Sequence, residues 1–162
     1  MFEIRQATVQ DIPLIRTLTL QVWPQTYAST LTPQQIEYML EMMYSVESLE
    51  NQMKEGCLFI FVYESGNPAG FASFGEIEPG VWKLHKIYIL TSQQGKGTGR
   101  FVIDYIINTI KQKNAKSLQL QVNRKNNAKK FYEKLGFNVI KNIDLDIGNG
   151  YFMKDYVMEK EV

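Results

Sequence analysis

Ser92-Gln93-Gln94-Gly95-Lys96-Gly97-Thr98-Gly99-Arg100 joins an apolar, strand-like run, Leu84 to Leu90, to an amphipathic stretch of helical spacing, Phe101 to Ile110. Glycines at 95, 97 and 99 let the backbone turn where a side chain would forbid it, and let it approach a ligand closely. The helix start behind them leaves N–H groups unpaired and carries the positive end of the helix dipole. Strand, glycine turn and helix N-terminus, in that order, make a cradle for phosphate. The plainer reading of the same residues is a left-handed turn between strand and helix.

Outward from this loop the chain divides into two textures. Before it, Phe2 and Ile4 alternate with polar neighbours as a short strand does. Thr8 or Asp11 caps a helix with Pro13 in its first turn, and Ile12, Ile15, Leu18, Val22 and Trp23 form its apolar stripe. Pro24 is expected to end that helix near Trp23. Thr32-Pro33 opens a second helix, and Ser45 caps a short third one. From Cys57 the pattern turns to strands: Leu58 to Tyr63, a hairpin partner Ala69 to Phe74, and Val81 to Leu90. After the loop helix come a strand Ser117 to Val122, a short helix Asn126 to Leu135, and strands near Val139–Leu145 and Tyr151–Met158 around the turn Gly148-Asn149-Gly150. This order predicts an α/β fold of the α+β type, with a single mixed, largely antiparallel sheet flanked by helices and residues 1–162 as one domain.

Composition narrows the function. The chain has 162 residues, 44% hydrophobic and 22% charged, with a net charge of +1, as an ordinary globular protein has. No long basic run offers a nucleic-acid surface, and no apolar stretch reaches membrane-spanning length. The N-terminus lacks the basic-then-apolar layout of a signal peptide. Cys57 is the only cysteine, which excludes a disulfide framework and points to a reducing cytoplasm. With His85 the only histidine, a Cys/His metal site is not expected.

The loop does not fit the two common nucleotide frames. A Walker loop needs Gly-x-x-x-x-Gly-Lys-Ser/Thr, and a dinucleotide fingerprint needs Gly-x-Gly-x-x-Gly after the first strand of a βαβ unit. Downstream, Gln119-Leu120-Gln121-Val122-Asn123 precedes Asn126-Asn127-Ala128-Lys129-Lys130-Phe131-Tyr132-Glu133-Lys134-Leu135-Gly136-Phe137. With the loop, these segments resemble the GNAT superfamily of acyl-CoA-dependent N-acetyltransferases. That family's pyrophosphate loop, Gln/Arg-x-x-Gly-x-Gly/Ala, is matched by Gln94, Gly97 and Gly99. Its second signature is matched by Asn127-Ala128, Phe131-Tyr132 and Leu135-Gly136-Phe137. The resemblance spans residues 81 to 140, a little over a third of the chain. A narrower similarity, to bacterial polyamine acetyltransferases of the spermidine/spermine type, rests on Trp23, Thr26-Tyr27, Lys86-Ile87-Tyr88-Ile89 and the segment from Tyr151 to Lys160.

The resemblance implies acetyl-CoA as co-substrate, with no metal. Gln94, Gly95, Lys96, Gly97, Thr98, Gly99 and Arg100 then hold the pyrophosphate, Ile87, Tyr88 and Ile89 pair with the pantetheine arm, and Asn127 bonds the ligand. A backbone N–H near Ile89 or Leu90 faces the developing oxyanion, and Tyr132 gives its proton to the departing thiolate. Each residue also has a plain structural role: Lys96 and Arg100 as solvated cations, Asn127 or Asn126 as a helix cap, and Tyr132 as a packed ring beside the stripe of Ala128, Phe131 and Leu135.

The acceptor is expected to be a small-molecule primary amine, a polyamine first, with another small amine or a protein N-terminus as alternatives. A CoA-binding sensor without turnover is the competing class. His85, whose ordinary pKa is near 6.5, is the candidate proton acceptor, on the strand face of Lys83, Ile87 and Ile89 by simple alternation. The polyamine branch carries an acidic residue at this position. Trp23 and Tyr27, with Tyr88, are candidate acceptor walls, and Glu37, Glu41, Glu76 and Glu78 are the carboxylates available to a polycation. Cys57 is expected to be buried and inert. The last strand offers an edge through which a homodimer could form.

Overall fold

The run Leu58 to Tyr63 becomes β2 (Leu58–Glu64), and its side chains set the layering. Phe59 and Phe61 bury to one side of the sheet, Ile60 and Val62 to the other. A strand covered on both faces reads as a continuous apolar run, which is why alternation is invisible here. The computed structural model describes residues 1–162. β2 lies between β1 (Phe2–Gln6) and β3 (Asn67–Glu78), and β3 pairs with β4 (Val81–Ile89). Then follow β5 (Ser117–Asn123) and the hairpin of β6 (Asn138–Gly148) and β7 (Tyr151–Glu161). The sheet order is β1-β2-β3-β4-β5-β7-β6, and only β4 and β5 run parallel.

One face is covered by α4 (Thr98–Lys111) and α5 (Ala128–Lys134). Val102, Ile103, Ile106, Ile107 and Ile110 of α4 form a helical stripe and join a cluster of 18 buried residues. Each such side chain taken from water contributes about 1.5–3 kcal/mol. The other face carries α1 (Ile12–Tyr27), α2 (Pro33–Tyr44) and α3 (Val46–Lys54) around a second cluster of 10. Thr32 and Ser45 cap α2 and α3 as expected, each accepting from a backbone N–H three residues on. Thr8 and Asp11 form a capping box on a single 3-10 turn, Val9–Asp11, that leads into α1. No helix is long and apolar enough to cross a membrane.

Several expectations are corrected. α1 does not stop near Trp23. It runs through Pro24 to Tyr27, because Val22 is buried, Trp23 is anchored in the second core and Ala28 N–H still reaches the Pro24 carbonyl at 3.2 Å. α4 starts at Thr98 rather than Phe101, so Gly99 and Arg100 belong to the helix. In α5 the stripe is rotated: Phe131 is 38% exposed and Tyr132 is the buried ring, at 8%. Cys57 is half-buried rather than enclosed, and burial raises its thiol pKa.

Pro24 lacks the N–H that the Leu20 carbonyl would accept one turn earlier. Pro24→Ala is therefore expected to stabilise the fold by about 1–3 kcal/mol. Equilibrium urea unfolding measures it, and a loss of stability would show that α1 depends on the proline's bend.

Candidate active site

The site begins where two parallel strands part. β4 and β5 are paired from Val81↔Ser117 to Leu84↔Leu120 and no further. At that point β4 also carries a bulge: Leu84 faces Phe74 and Lys86 faces Ser73, so His85 has no partner on β3. The extra residue inverts the alternation. Trp82 and Leu84 point to the α4 side before it, and Ile87 and Ile89 point there after it. Tyr88 faces the α1 side, with Lys86 beside it over the Tyr44 ring. The expected shared face of His85, Lys83, Ile87 and Ile89 is thereby overturned. Leu90 N–H is spent on the Ala69 carbonyl at 2.9 Å. Antiparallel ladders alternate, so the N–H of Ile89 points to the opposite edge, into the gap left by β5.

This gap is the mouth of a cleft of about 820 Å³. The volume is at the large end for a pre-formed small-molecule site. Ile87, Tyr88 and Ile89 line it, and so do Gln94, Gly95, Gly97, Thr98, Gly99 and Arg100 at one end. Gly97 adopts φ +83° as the residue before α4, and no side chain caps the helix. Its first N–H groups are left for an anion. Gly99 answers a different need: a Cβ there would come within 3.2 Å of the Phe131 ring. Gln94 Nε2 donates to the Ile89 carbonyl at 3.2 Å, and Thr98 Oγ1 donates to the Gln93 carbonyl at 3.2 Å. These two side chains hold the loop against strand and helix. Arg100 is exposed at the cleft end, 3.9 Å from Asp104. Lys96 is not among the lining residues; it is exposed and lies 3.9 Å from Glu64.

α5 brings Tyr132 to the middle of the cleft, with Phe131, Ala128 and Asn126. The Tyr132 ring is wedged against Phe137, 5.9 Å between centroids, and Phe137 N–H donates to the Tyr132 carbonyl at 3.1 Å. Burial, then the nearby Tyr27, raises its phenol pKa far above the ordinary value, and no hydrogen bond from the chain offsets that. The group stays protonated. Asn126 does the capping, its side chain accepting from Ala128 N–H at 2.9 Å, while Asn127 is exposed and outside the lining.

The far end is aromatic and cationic. Trp23 stacks on Tyr27 at 4.7 Å and lies edge-on to Tyr44 at 5.6 Å, and Tyr88 closes the group. Burial raises the pKa of Tyr27, Tyr44 and Tyr88. Lys83, His85, Lys86 and Asp155 complete this wall. Burial lowers Lys83 and takes Lys86 down to about 8. His85 falls to about 4. Part of its ring reaches solvent, but surrounding protein and the flanking Lys83 and Lys86 all act in the same direction. The four glutamates expected for a polycation, Glu37, Glu41, Glu76 and Glu78, are exposed and outside the cleft. Sequence reasoning missed Lys83, Lys86 and Asp155. Two lysines between buried apolar strand positions were the available signal. No group of three His, Cys, Asp or Glu side chains is placed to hold a metal.

The sequence that builds this cleft is matched by a family model. The model described as the acetyltransferase (GNAT) domain covers residues 27–158. The chain belongs to the GNAT acetyltransferases. It is 32% identical over 111 residues to the ribosomal protein bS18-alanine N-acetyltransferase of Haemophilus influenzae, covering 68% of this chain and 72% of that one. It is 26% identical to the spermidine N(1)-acetyltransferase of Thermoplasma acidophilum over 98% of this chain and 96% of the other. The PaiA N-acetyltransferase of Thermoplasma acidophilum, solved in complex with coenzyme A, superposes with a TM-score of 0.83 at 25% identity, over 100% and 99% of the two chains. This GNAT chain is an acetyl-CoA-dependent N-acetyltransferase with the seven-stranded fold of its family.

Because His85 is the only histidine of this acetyltransferase, its ring protons give a clean titration. A midpoint near 4 is expected by NMR, and one between 6 and 7 would refute the assigned surroundings. The folded value lies below the unfolded one. The associated stability is therefore present above about pH 6.5 and is lost as pH falls toward 4.

Proposed function

We propose that the enzyme moves the acetyl group of acetyl-CoA directly to a small primary amine held beside Trp23 and Tyr27, both partners being bound at once. The observation that carries this reading is the unpaired edge of β4, which runs from the glycine loop past Tyr132 to the aromatic wall. A ligand with amide groups satisfies that edge as another strand would. The loop from Gln94 to Arg100, with the free N–H groups of α4, takes the pyrophosphate, and Lys96 and Asn127 remain at its margin. The Ile89 N–H meets the oxygen that becomes negative when the amine attacks the thioester carbon. Tyr132 faces the departing sulfur. Its raised pKa favours a hydrogen bond to the thiolate over complete proton transfer. His85, uncharged at neutral pH, carries a proton from the incoming ammonium to solvent transiently, since its lowered pKa does not let it hold that proton.

The acceptor class in this reading is a primary amine. The spermidine-acetylating relative supports a polyamine, and the bS18-acetylating relative supports a protein N-terminus. Exposed Val139, Ile140 and Leu145 on the outer strand β6 support pairing of two copies there, and the lone free Cys57 supports a reducing, cytoplasmic setting.

Tyr132→Phe is expected to lower kcat by at least about tenfold while the Kd for CoA stays within about twofold. Thiol release from acetyl-CoA across an amine panel, with calorimetry for CoA, reads both. Wild-type kcat in the variant would remove Tyr132 from the chemistry. Tight CoA binding with no amine-dependent release would make the protein a CoA sensor instead.

A further inference from the structure

The acceptor end of the cleft holds one buried cation that nothing in the chain neutralises. Lys86 is 8% exposed and lines the cleft. Its ammonium rests 4.7 Å above the Tyr44 ring. None of the chain's ion pairs includes it, and no carboxylate acts on it. The titratable groups around it are the Cys57 thiol, Lys83 and the uncharged His85. Lys83 is provided for: its ammonium donates to Gln121 Oε1 and faces Asp155, which Arg124 also serves. An ammonium removed from water without a counter-ion is strongly disfavoured, so a native cleft that keeps one is completed by its ligand.

We infer that the acceptor is a small aminocarboxylate, with the reacting primary amine and a carboxylate in one molecule, and that Lys86 holds the carboxylate. This rests on the acetyl-transfer reading above and specifies its substrate class. A carboxylate brings acceptor oxygens to the Lys86 ammonium, which has no partner in the chain. Its single charge matches the single uncompensated cation. A polyamine would add positive charge to a wall whose one carboxylate is already engaged. The stacked Trp23, Tyr27 and Tyr88 rings then cover the apolar body between the two ends.

The test uses acceptors in pairs that differ only in the carboxylate: phenylalanine with phenethylamine, leucine with isopentylamine, and spermidine as the polycation. CoA release gives kcat/KM, and thermal shift of the CoA complex reads acceptor binding without turnover. The carboxylate-bearing partner is expected to lead by at least about tenfold. Lys86→Met is expected to erase that lead by raising KM for the amino acids alone, and Lys86→Arg to restore part of it. Loss of a buried unpaired charge leaves Tm of Lys86→Met equal or higher, so misfolding is separable. Turnover that ignores the carboxylate, or favours spermidine, overturns the inference and leaves acetyl transfer standing. Carboxylate-selective binding without CoA release overturns acetyl transfer and leaves the Lys86 site standing. Neither selective binding nor turnover overturns both.

Discussion

Everything at the site depends on four residue pairs of β4 and β5 that share hydrogen bonds and on the residues beyond that do not. A parallel ladder that ends at Leu84↔Leu120 leaves the backbone from Lys86 to Ile89 with one edge paired to β3 and the other open. Buried N–H and C=O groups are nearly always satisfied. The fold therefore presents a demand for an extended, amide-bearing ligand where it also presents the helix N-terminus. The two core clusters hold the strands in that parted position. Leu84, Leu120 and Val122 are all buried in the cluster under α4.

The bulge at His85 divides the labour of the cleft. Without it, Lys83, His85, Ile87 and Ile89 would share one face, and the lysines would fall on opposite sides. With it, Ile87 and Ile89 join the apolar cluster of α4, while Lys86 and Tyr88 turn toward α1 and α2. One inserted residue thus makes the β4 wall apolar on the α4 side, through Ile87 and Ile89, and cationic and aromatic on the α1 side. The same shift leaves His85 between two lysines, whose charge adds to the desolvation that chiefly depresses its pKa.

Much of this was legible in the chain, for identifiable reasons. Thr32, Ser45 and the glycine loop announce helix starts because capping and turn chemistry act within a few residues. The downstream Asn127 to Phe137 pattern pointed to the family because its spacing reports a ligand rather than a local preference. What stayed hidden is non-local. Pro24 ends helices on average, yet tertiary anchoring of Val22 and Trp23 carries α1 past it. Phe131 and Tyr132 exchange places because α5 is rotated by its contacts with Gly99 and Phe137. A bulge has no residue signature without a glycine, so period-two reasoning placed His85 and the lysines on the wrong faces.

The charge of the acceptor end also bears on how an amine becomes a nucleophile. Burial and mutual repulsion hold Lys86 near 8 and His85 near 4. Those causes are properties of the place, and they act equally on an ammonium brought into it. The incoming amine is thereby shifted toward its neutral, reactive form before any side chain accepts the proton. A strong base is then unnecessary, and the absence of a glutamate from the wall is consistent with the chemistry. Asp155 does not reverse the effect, because Lys83 and Arg124 already face it. Tyr132 stays protonated for the complementary reason: burial penalises phenolate as it penalises ammonium. Desolvation by the same wall therefore favours the neutral form of both partners in the proposed transfer, the amine and the Tyr132 phenol.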